Sequence, residues 1–462
     1  MSSPTCRAMQ IIRSWGEPTD RELRIGGVSV SEIVRRVSTP CYVYSGDVLM
    51  RGITQVLNAL GPETQLFYSL KANPSLGLCQ MMARAGLGAE VASSGELALA
   101  RAAGFPVART LFAGPGKTNE ELGQAAGAGI RAINVESAGE MERLSSIAAE
   151  LGAPVRAAIR VNPLAQVRGA QMRMGGGSQQ FGVDEEQLPD VLSRFATHPN
   201  VQIVGLHVYA GTQIFDVEAL LAGHHHAVDL ALQTADRLKQ PLEMLDLGGG
   251  FGVPYFDNQK RFDLNALAQG YREVVRRCKE DPRLAPTQLV IELGRYLVAE
   301  AGVYLCRVVD VKRSRGKTFV VTDGGMNHHI TATGNFGQVF RKPYPMAVVT
   351  RLDEPEESEV SVVGPCCTPL DVFAHGVPLP RVDEGDIIGV FSSGAYGYSA
   401  SSIAFLSHPT PAEVLTWQGN VHVLRPAGRP EQFLQEQVPL PEENDQPRED
   451  LNALPVGADD PP

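Results

Sequence analysis

From Cys41 onward, short apolar runs alternate with longer Ala- and Leu-rich stretches in which apolar residues recur three and four positions apart. Runs at residues 66–71, 88–92, 110–113, 132–135, 155–161, 203–210, 244–247 and 289–293 read as strands. Between them, residues 96–103, 138–151, 185–196, 217–238 and 264–279 carry helix formers and predict helices. Near-continuous apolar strands separated by helices imply a parallel sheet covered on its outside. Eight such units in roughly 250 residues predict an α/β fold, a (β/α)8 barrel of TIM type.

After Gly302 the texture changes. Residues 303–311, 318–322, 347–351, 358–363 and 386–393 are strand-like, several alternate, and turns such as Arg315-Gly316-Lys317 and Glu384-Gly385 separate them. The predicted organisation is an N-terminal segment over 1–38 packing on the β domain, with a short helix at 28–37 broken by Thr39-Pro40. A barrel over 39–302 follows, then a mostly β domain over 303–425 and a disordered, acidic, Pro-rich tail over 426–462.

Composition narrows the class. A 462-residue chain that is 43% hydrophobic and 20% charged has a soluble, globular balance and enough length for a large core. A formal net charge of -11 argues against a nucleic-acid partner. Seven cysteines without repeating spacing suit a reducing compartment. No run has the length of a membrane span and the N-terminus lacks a signal-peptide core, so a cytoplasmic protein without membrane association is expected.

Active sites of such barrels lie at the C-terminal strand ends. Strand one ends in Lys71, strand five carries Arg160, and strand six carries His207 and Tyr209 before Gly211-Thr212-Gln213. Strand seven runs from Asp246 into Gly248-Gly249-Gly250-Phe251-Gly252, and strand eight ends Glu292-Leu293-Gly294-Arg295. A strand-end lysine in isolation is a snorkelling cation; with a site around it, it is a Schiff-base nucleophile. The glycines let backbone N–H groups approach an anion, although such runs are as often tight turns. A lysine and a phosphate cradle in one barrel mouth suggest pyridoxal 5'-phosphate, which also needs a partner for its ring nitrogen. Glu292 suits that role, or else it pairs with Arg295; Tyr209 offers a stacking face, or else it is plain core.

These stretches resemble the fold-type III pyridoxal-phosphate decarboxylases, the group of diaminopimelate, ornithine and arginine decarboxylases. The resemblance runs over about residues 40 to 415. It rests on Tyr68-Ser69-Leu70-Lys71-Ala72-Asn73, Gly205-Leu206-His207 through Gly211-Thr212-Gln213, the glycine run, Glu292-Leu293-Gly294-Arg295, Gly364-Pro365-Cys366-Cys367 through Asp371, and Gly394-Ala395-Tyr396-Gly397. It implies a barrel joined to a β domain, as in alanine racemase. Lys71 would bind the cofactor covalently, and Arg160, His207, Tyr209 and Thr212 would line its site. Gly248, Gly249 and Gly250 would bind its phosphate with Arg295 and Tyr396 nearby, and Glu292 would meet the ring nitrogen. Arg295, Arg341, Thr368, Asp371 and Tyr396 would face substrate. Cys367 would enter from the other subunit of a homodimer as the proton donor. No cysteine pattern or histidine run shows metal-ligand spacing, so no metal is expected. His224-His225-His226 and His328-His329 are read as surface or pocket residues.

Three departures carry information. Tyr209 replaces the family's stacking histidine, Leu293 replaces a proline, and Thr368-Pro369 follows Cys367 where diaminopimelate- and ornithine-type enzymes have an acidic residue for the substrate's distal amine. Threonine cannot neutralise an ammonium, and burying one unpaired is costly. The expected activity is therefore α-decarboxylation of an L-amino acid or amino-acyl derivative without a free distal amine. The wider pattern, with Asp323-Gly324-Gly325-Met326-Asn327-His328-His329 and Asn335-Phe336-Gly337, resembles a subgroup that includes decarboxylases of carrier-protein-bound glutamate. Arg341 and Lys342 either hold a carboxylate or pantetheine phosphate or form a solvated basic turn, and residues 312–317 are a candidate basic patch for an acidic carrier. The alternatives are a true diaminopimelate decarboxylase making L-lysine, an amino-acid racemase, and a non-catalytic binding relative. Racemisation needs acid/base groups on both faces; a non-catalytic relative should lose the lysine or the phosphate cup.

Overall fold

A computed structural model describes residues 4–16, 21–164, 172–173, 178–209, 211–338, 341–435 and 437–440. The eight predicted barrel strands are β1 Thr64–Ser69, β2 Gly88–Val91, β3 Thr110–Phe112, β4 Ala132–Val135, β5 Val155–Asn162, β6 Val201–Val208, β7 Met244–Gly249 and β8 Gln288–Leu293. Each pairs in parallel with the next, and β8 returns to β1 with Leu289 opposite Thr64 and Leu293 opposite Tyr68, closing the barrel. Helices including Ser94–Ala103, Ala138–Leu151, Val217–Leu238 and Leu264–Glu280 cover the outside. Their ends follow from local chemistry. The Ser93 and Ser137 hydroxyls accept the N–H groups of Glu96 and Glu140, Thr118 and Glu121 form a capping box, and Gly104 and Gly152 end their helices in the left-handed region.

Inside the barrel lies a small apolar cluster of Phe67, Leu111, Ala132, Ala158, Val204, Met244 and Val290, one residue from each strand but β2. The eighth position is Gly88, where a Cβ would come within 2.5 Å of the Phe67 ring. The glycine leaves the space that Phe67 fills. Successive residues of a strand alternate faces. The position two residues further along β2, β4, β5, β7 and β8 is therefore a second inward layer: Glu90, Asn134, Arg160, Asp246 and Glu292. On β6 the register shifts between Ile203 and Gly205, and His207 is the polar residue delivered to that level.

The second domain is built on β9 Gly302–Ser314, in a nine-stranded sheet. The strand Cys41–Ser45 does not belong to the barrel, although it falls in the predicted barrel span. It lies between β9, to which it is antiparallel, and Ala412–Trp417, to which it is parallel. Every residue of it is buried, as a central strand requires. The N-terminal helices Pro4–Trp15 and Val30–Val37 pack on this sheet in a second core containing Ile11, Ile12, Trp15, Ile33, Val303, Val349 and Phe391. The 28–37 helix starts at Val30 because Ser29 caps it, its side chain accepting from the Glu32 N–H. Strands Val372–Leu379, Ala412–Trp417 and Asn420–Arg425 have no counterpart in the sequence reading. Of the predicted tail, residues 426–435 include a short 3-10 turn at Pro430–Leu434, and residues 436 and 441–462 lie outside the described residues.

In the histidine runs His225 and His226 are partly exposed, in line with the expected surface or pocket placement, whereas the others are not. His224, His328 and His329 are core residues, and burial lowers their pKa values to about 3, about 4 and about 3, so they stay neutral. Among the described residues, no helix is long and apolar enough to cross a membrane.

Gly205 marks the tightest approach of β6 to β7: a Cβ there would stand 2.0 Å from the Met244 carbonyl oxygen. Backbone cannot yield as a side chain does. Gly205→Ala should destabilise the protein by about 2 kcal/mol or more, read as a lower urea midpoint.

Candidate active site

Lys71 lies in a 3-10 turn, Leu70–Ala72, at the C-terminal end of β1. Its Nζ is 3.3 Å from Glu90 Oε1. The lysine side chain is half exposed to the open mouth while Glu90 is fully buried. Burial alone would lower the ammonium's pKa. Glu90 first, then Tyr396, Tyr209 and Glu292, together outweigh that loss, and the net shift is upward.

Glu292, on β8, is buried beside Asp246 on β7 and His207 on β6; one ligand-type atom of each lies within 4.8 Å of the others. Burial first, then the neighbouring Asp246 and Glu90 carboxylates, push the Glu292 carboxyl well above its ordinary range. Burial raises Asp246 to about 6. Two adjacent buried carboxyls cannot both ionise, so the pair holds a proton. His207 Nε2 is 3.5 Å from Glu292 Oε2, and Nδ1 is 3.1 Å from Asn134 Nδ2. Burial, then the cations of Arg160, Lys71 and Lys117, hold this imidazole neutral. Glu292 therefore faces this polar cluster and is not paired with Arg295.

The glycine run is shaped by its neighbours. Gly248 and Gly250 have φ of 64° and 83°, conformations that favour glycine. A Cβ on Gly249 would stand 1.8 Å from the Glu292 carbonyl oxygen. The loop after β6 is zipped to this run: Ile214 donates to Gly250 O, Gly252 donates to Ile214 O, and Gln213 exchanges two bonds with Val253. The Gly248 N–H donates to Asp246 Oδ1 at 2.9 Å, so this glycine makes the turn and its donor is already engaged.

The second domain closes one side. The Tyr396 N–H donates to Ala72 O at 2.7 Å, and Asn73 Nδ2 donates to Gly394 O at 2.9 Å. Arg295 lies 4.6 Å from the centre of the Tyr396 ring and donates to Tyr255 Oη at 3.1 Å. Arg160 is committed to Glu136 at 2.8 Å, both buried, and its guanidinium is 6.0 Å from the centre of the Tyr209 ring.

A cavity of about 600 Å³ adjoins Arg295, lined among others by Thr212, Tyr255, Phe256, Phe336 and Lys342. Arg341 is outside its lining, exposed, with its guanidinium donating to Asn335 Oδ1. The Cys366–Asp371 loop lies elsewhere. The Cys367 thiol is exposed, and among the described residues no hydrogen bond or ion pair joins it to the Lys71 cluster. The Asp371 carboxylate turns to backbone groups of its own domain. It is buried and accepts the N–H groups of Met326 at 2.6 Å and Cys366 at 2.8 Å, bracing the loop. Thr368 Oγ1 accepts from the Leu370 N–H at 3.3 Å.

Glu90, Asp246 and Asn134 have no role in the sequence reading. The signal was present: each is a polar residue inside an otherwise apolar strand, the same anomaly that singles out Lys71.

The residues fit pyridoxal phosphate. Glu292 Oε1, Asp246 Oδ2 and His207 Nε2 are buried without a hydrogen-bond partner, and such atoms call for a charged, hydrogen-bonding guest. A pyridinium N–H is of that kind. The chain belongs to the pyridoxal-dependent decarboxylase family, whose pyridoxal binding domain matches residues 47–299. It is a pyridoxal-dependent carboxy-lyase. It is 36% identical over 419 residues to the L-glutamyl-[BtrI acyl-carrier protein] decarboxylase of Niallia circulans, covering 90% of this chain and 97% of that one. It is 32% identical over 407 residues to the diaminopimelate decarboxylase of Zymomonas mobilis, covering 87% and 93%. The structure of diaminopimelate decarboxylase from M. jannaschii in co-complex with L-lysine matches with a TM-score of 0.84 at 27% identity, covering 92% of this chain and 98% of that one.

In cofactor-free protein the raised pKa values favour the protonated carboxyl pair. The share of this stability that Asp246 provides is full at low pH and is lost as pH rises from about 4, the ordinary Asp value, through about 6, while the share of Glu292, raised well above its ordinary range, persists to higher pH. Asp246→Asn keeps the acceptor for Gly248 but removes one carboxyl. Its urea midpoint should fall less across that window than the parent's.

Proposed function

We propose that this enzyme removes the α-carboxylate of an L-amino acid or amino-acyl derivative that has no free distal amine, with glutamate tethered through its side-chain carboxyl to a carrier protein as the foremost case. The single observation that carries this reading is the cavity beside Arg295. Its described lining contains two cations, Arg295 and Lys342, and no carboxylate. A distal ammonium entering it would lose its water without gaining a counter-charge. Thr368, already used within its own loop, supplies none either. The glutamyl-carrier relative supports the same reading.

The cofactor, when bound, supplies the electron sink for the pair left by departing CO2. The chain does the rest. Lys71 would tether the cofactor. The Asp246–Glu292 pair keeps a proton at the ring-nitrogen position, and neutral His207 adds no second positive charge there. Arg295 and the part of the glycine run beyond Gly248 would meet the phosphate, and Tyr209, with Arg160 near its ring, would offer the flat face. Cys367, on its exposed loop, reaches the site of a second subunit in a homodimer and returns a proton to the α-carbon.

CO2 release from free glutamate, carrier-bound glutamate, ornithine and meso-diaminopimelate tests the substrate. The assay uses protein whose borohydride-sensitive visible band, absent from Lys71→Ala, shows that cofactor is loaded. The glutamyl substrates should be turned over; efficient turnover of meso-diaminopimelate would refute the reading. For the shared site, Lys71→Ala and Cys367→Ala should each be inactive. An equal mixture, reassorted, should recover roughly a quarter of the wild-type activity, since half the dimers then carry one intact site. No recovery would place both residues in one subunit's site.

A further inference from the structure

The cavity is asymmetric in its use of charge. Arg295 stands at one part of its wall, bonded to Tyr255 and stacked on Tyr396, and in the proposed function it is assigned to the cofactor's phosphate. Lys342 stands on the adjoining aromatic surface, its Nζ 5.5 Å from the centre of the Phe256 ring. Tyr255, Phe256 and Tyr344 pack together between the two cations, with Tyr255–Tyr344 centroids 4.7 Å apart. The Lys342 backbone N–H donates to Gln338 Oε1 at 2.9 Å, which fixes where its stem begins. Among the described residues Lys342 makes no ion pair, although the chain carries an excess of acidic groups. The neighbouring Arg341, equal to it in a reading of the sequence, turns to Asn335 and contributes nothing to the cavity.

We infer that Lys342 is a specificity-determining anchor for a second anionic group on the substrate, a carboxylate or a phosphate ester, held across the aromatic wall from Arg295. The inference rests on the proposed function and adds the substrate's second charge to it. Two sources fit. Free glutamate would bring its side-chain carboxylate. A tethered glutamate must keep its α-carboxylate free to react, so its side-chain carboxyl is consumed in the thioester. The anion beyond that thioester is then the phosphate of the pantetheine arm. The Phe256 ring beside Lys342 suits the gem-dimethyl group that such an arm carries next to its phosphate.

Calorimetry on the holoenzyme with 4'-phosphopantetheine and with dephosphorylated pantetheine tests the inference without turnover. Lys342→Gln should weaken binding of the phosphorylated arm about tenfold, as expected for one lost charge-assisted hydrogen bond. It should leave the dephosphorylated arm unchanged, and Lys342→Arg should restore most of the loss. In steady state, KM for the γ-glutamyl thioester of phosphopantetheine should rise by a similar factor with kcat unchanged. If the anion is instead the free amino acid's carboxylate, KM for L-glutamate rises and binding of the arm does not change. Equal effects on phosphorylated and dephosphorylated arms, or no effect on either the arm or L-glutamate, would overturn the role of Lys342. Wild-type protein that binds the arm through Lys342 yet decarboxylates none of the glutamyl substrates would refute the proposed function and leave the anchor standing.

Discussion

A closed parallel barrel has room inside for only a few layers of side chains, and strand alternation decides which residues fill them. Here the apolar layer of Phe67, Leu111, Ala132, Ala158, Val204, Met244 and Val290 is a floor. The next inward positions carry Glu90, Asn134, Arg160, Asp246 and Glu292. Once the floor is set, these groups have nowhere else to go, and the register shift on β6 brings His207 to the same level. The site is thus a product of packing as much as of chemistry. The Phe67 ring needs the space above Gly88, and moving it would tilt the layer it supports.

Concentrating so many buried polar groups costs stability, and the chain offsets that cost in two ways. Most of them are paired: Arg160 with Glu136, Lys117 with Glu140, and Lys71 with Glu90. At Glu292, Asp246 and His207 one side-chain atom each, Oε1, Oδ2 and Nε2, is left without a partner where the cofactor's ring nitrogen is expected. A protein that kept every buried group satisfied would have no site to offer. The second domain locks the arrangement. Tyr396 and Gly394 bond the residues that follow Lys71, and Gly394 is held so close to Val298 O that a Cβ would stand 1.7 Å away.

The barrel was legible because each of its strands is a separate apolar run, and helices such as Ala138–Leu151 and Val217–Leu238 show their period along their whole length. Lys71, Glu292 and the glycine run were legible because they break a pattern at a strand end. Cys41–Ser45 was misplaced because a central strand of either domain has the same local texture, and only its distant partners show which sheet it joins. The β-domain strand Val372–Leu379 was missed because Gly376 and Pro378 interrupt it. Asp371 is hard to read for a related reason: a carboxylate that braces a loop and one that binds a ligand look alike until the amides around it are known.

The placement of Cys41–Ser45 also bears on how the chain is made. This strand is translated before any of the barrel, yet its neighbours in the sheet begin at Gly302 and at Ala412. The barrel is therefore an insertion within the other domain. Its strands pair in sequence order and can close once β8 has emerged, whereas the interrupted sheet cannot be completed until the ribosome has passed Arg425. Through most of synthesis the β domain's central strand has no partner, and a barrel that folds early holds the two halves of that sheet at a fixed distance until they can join.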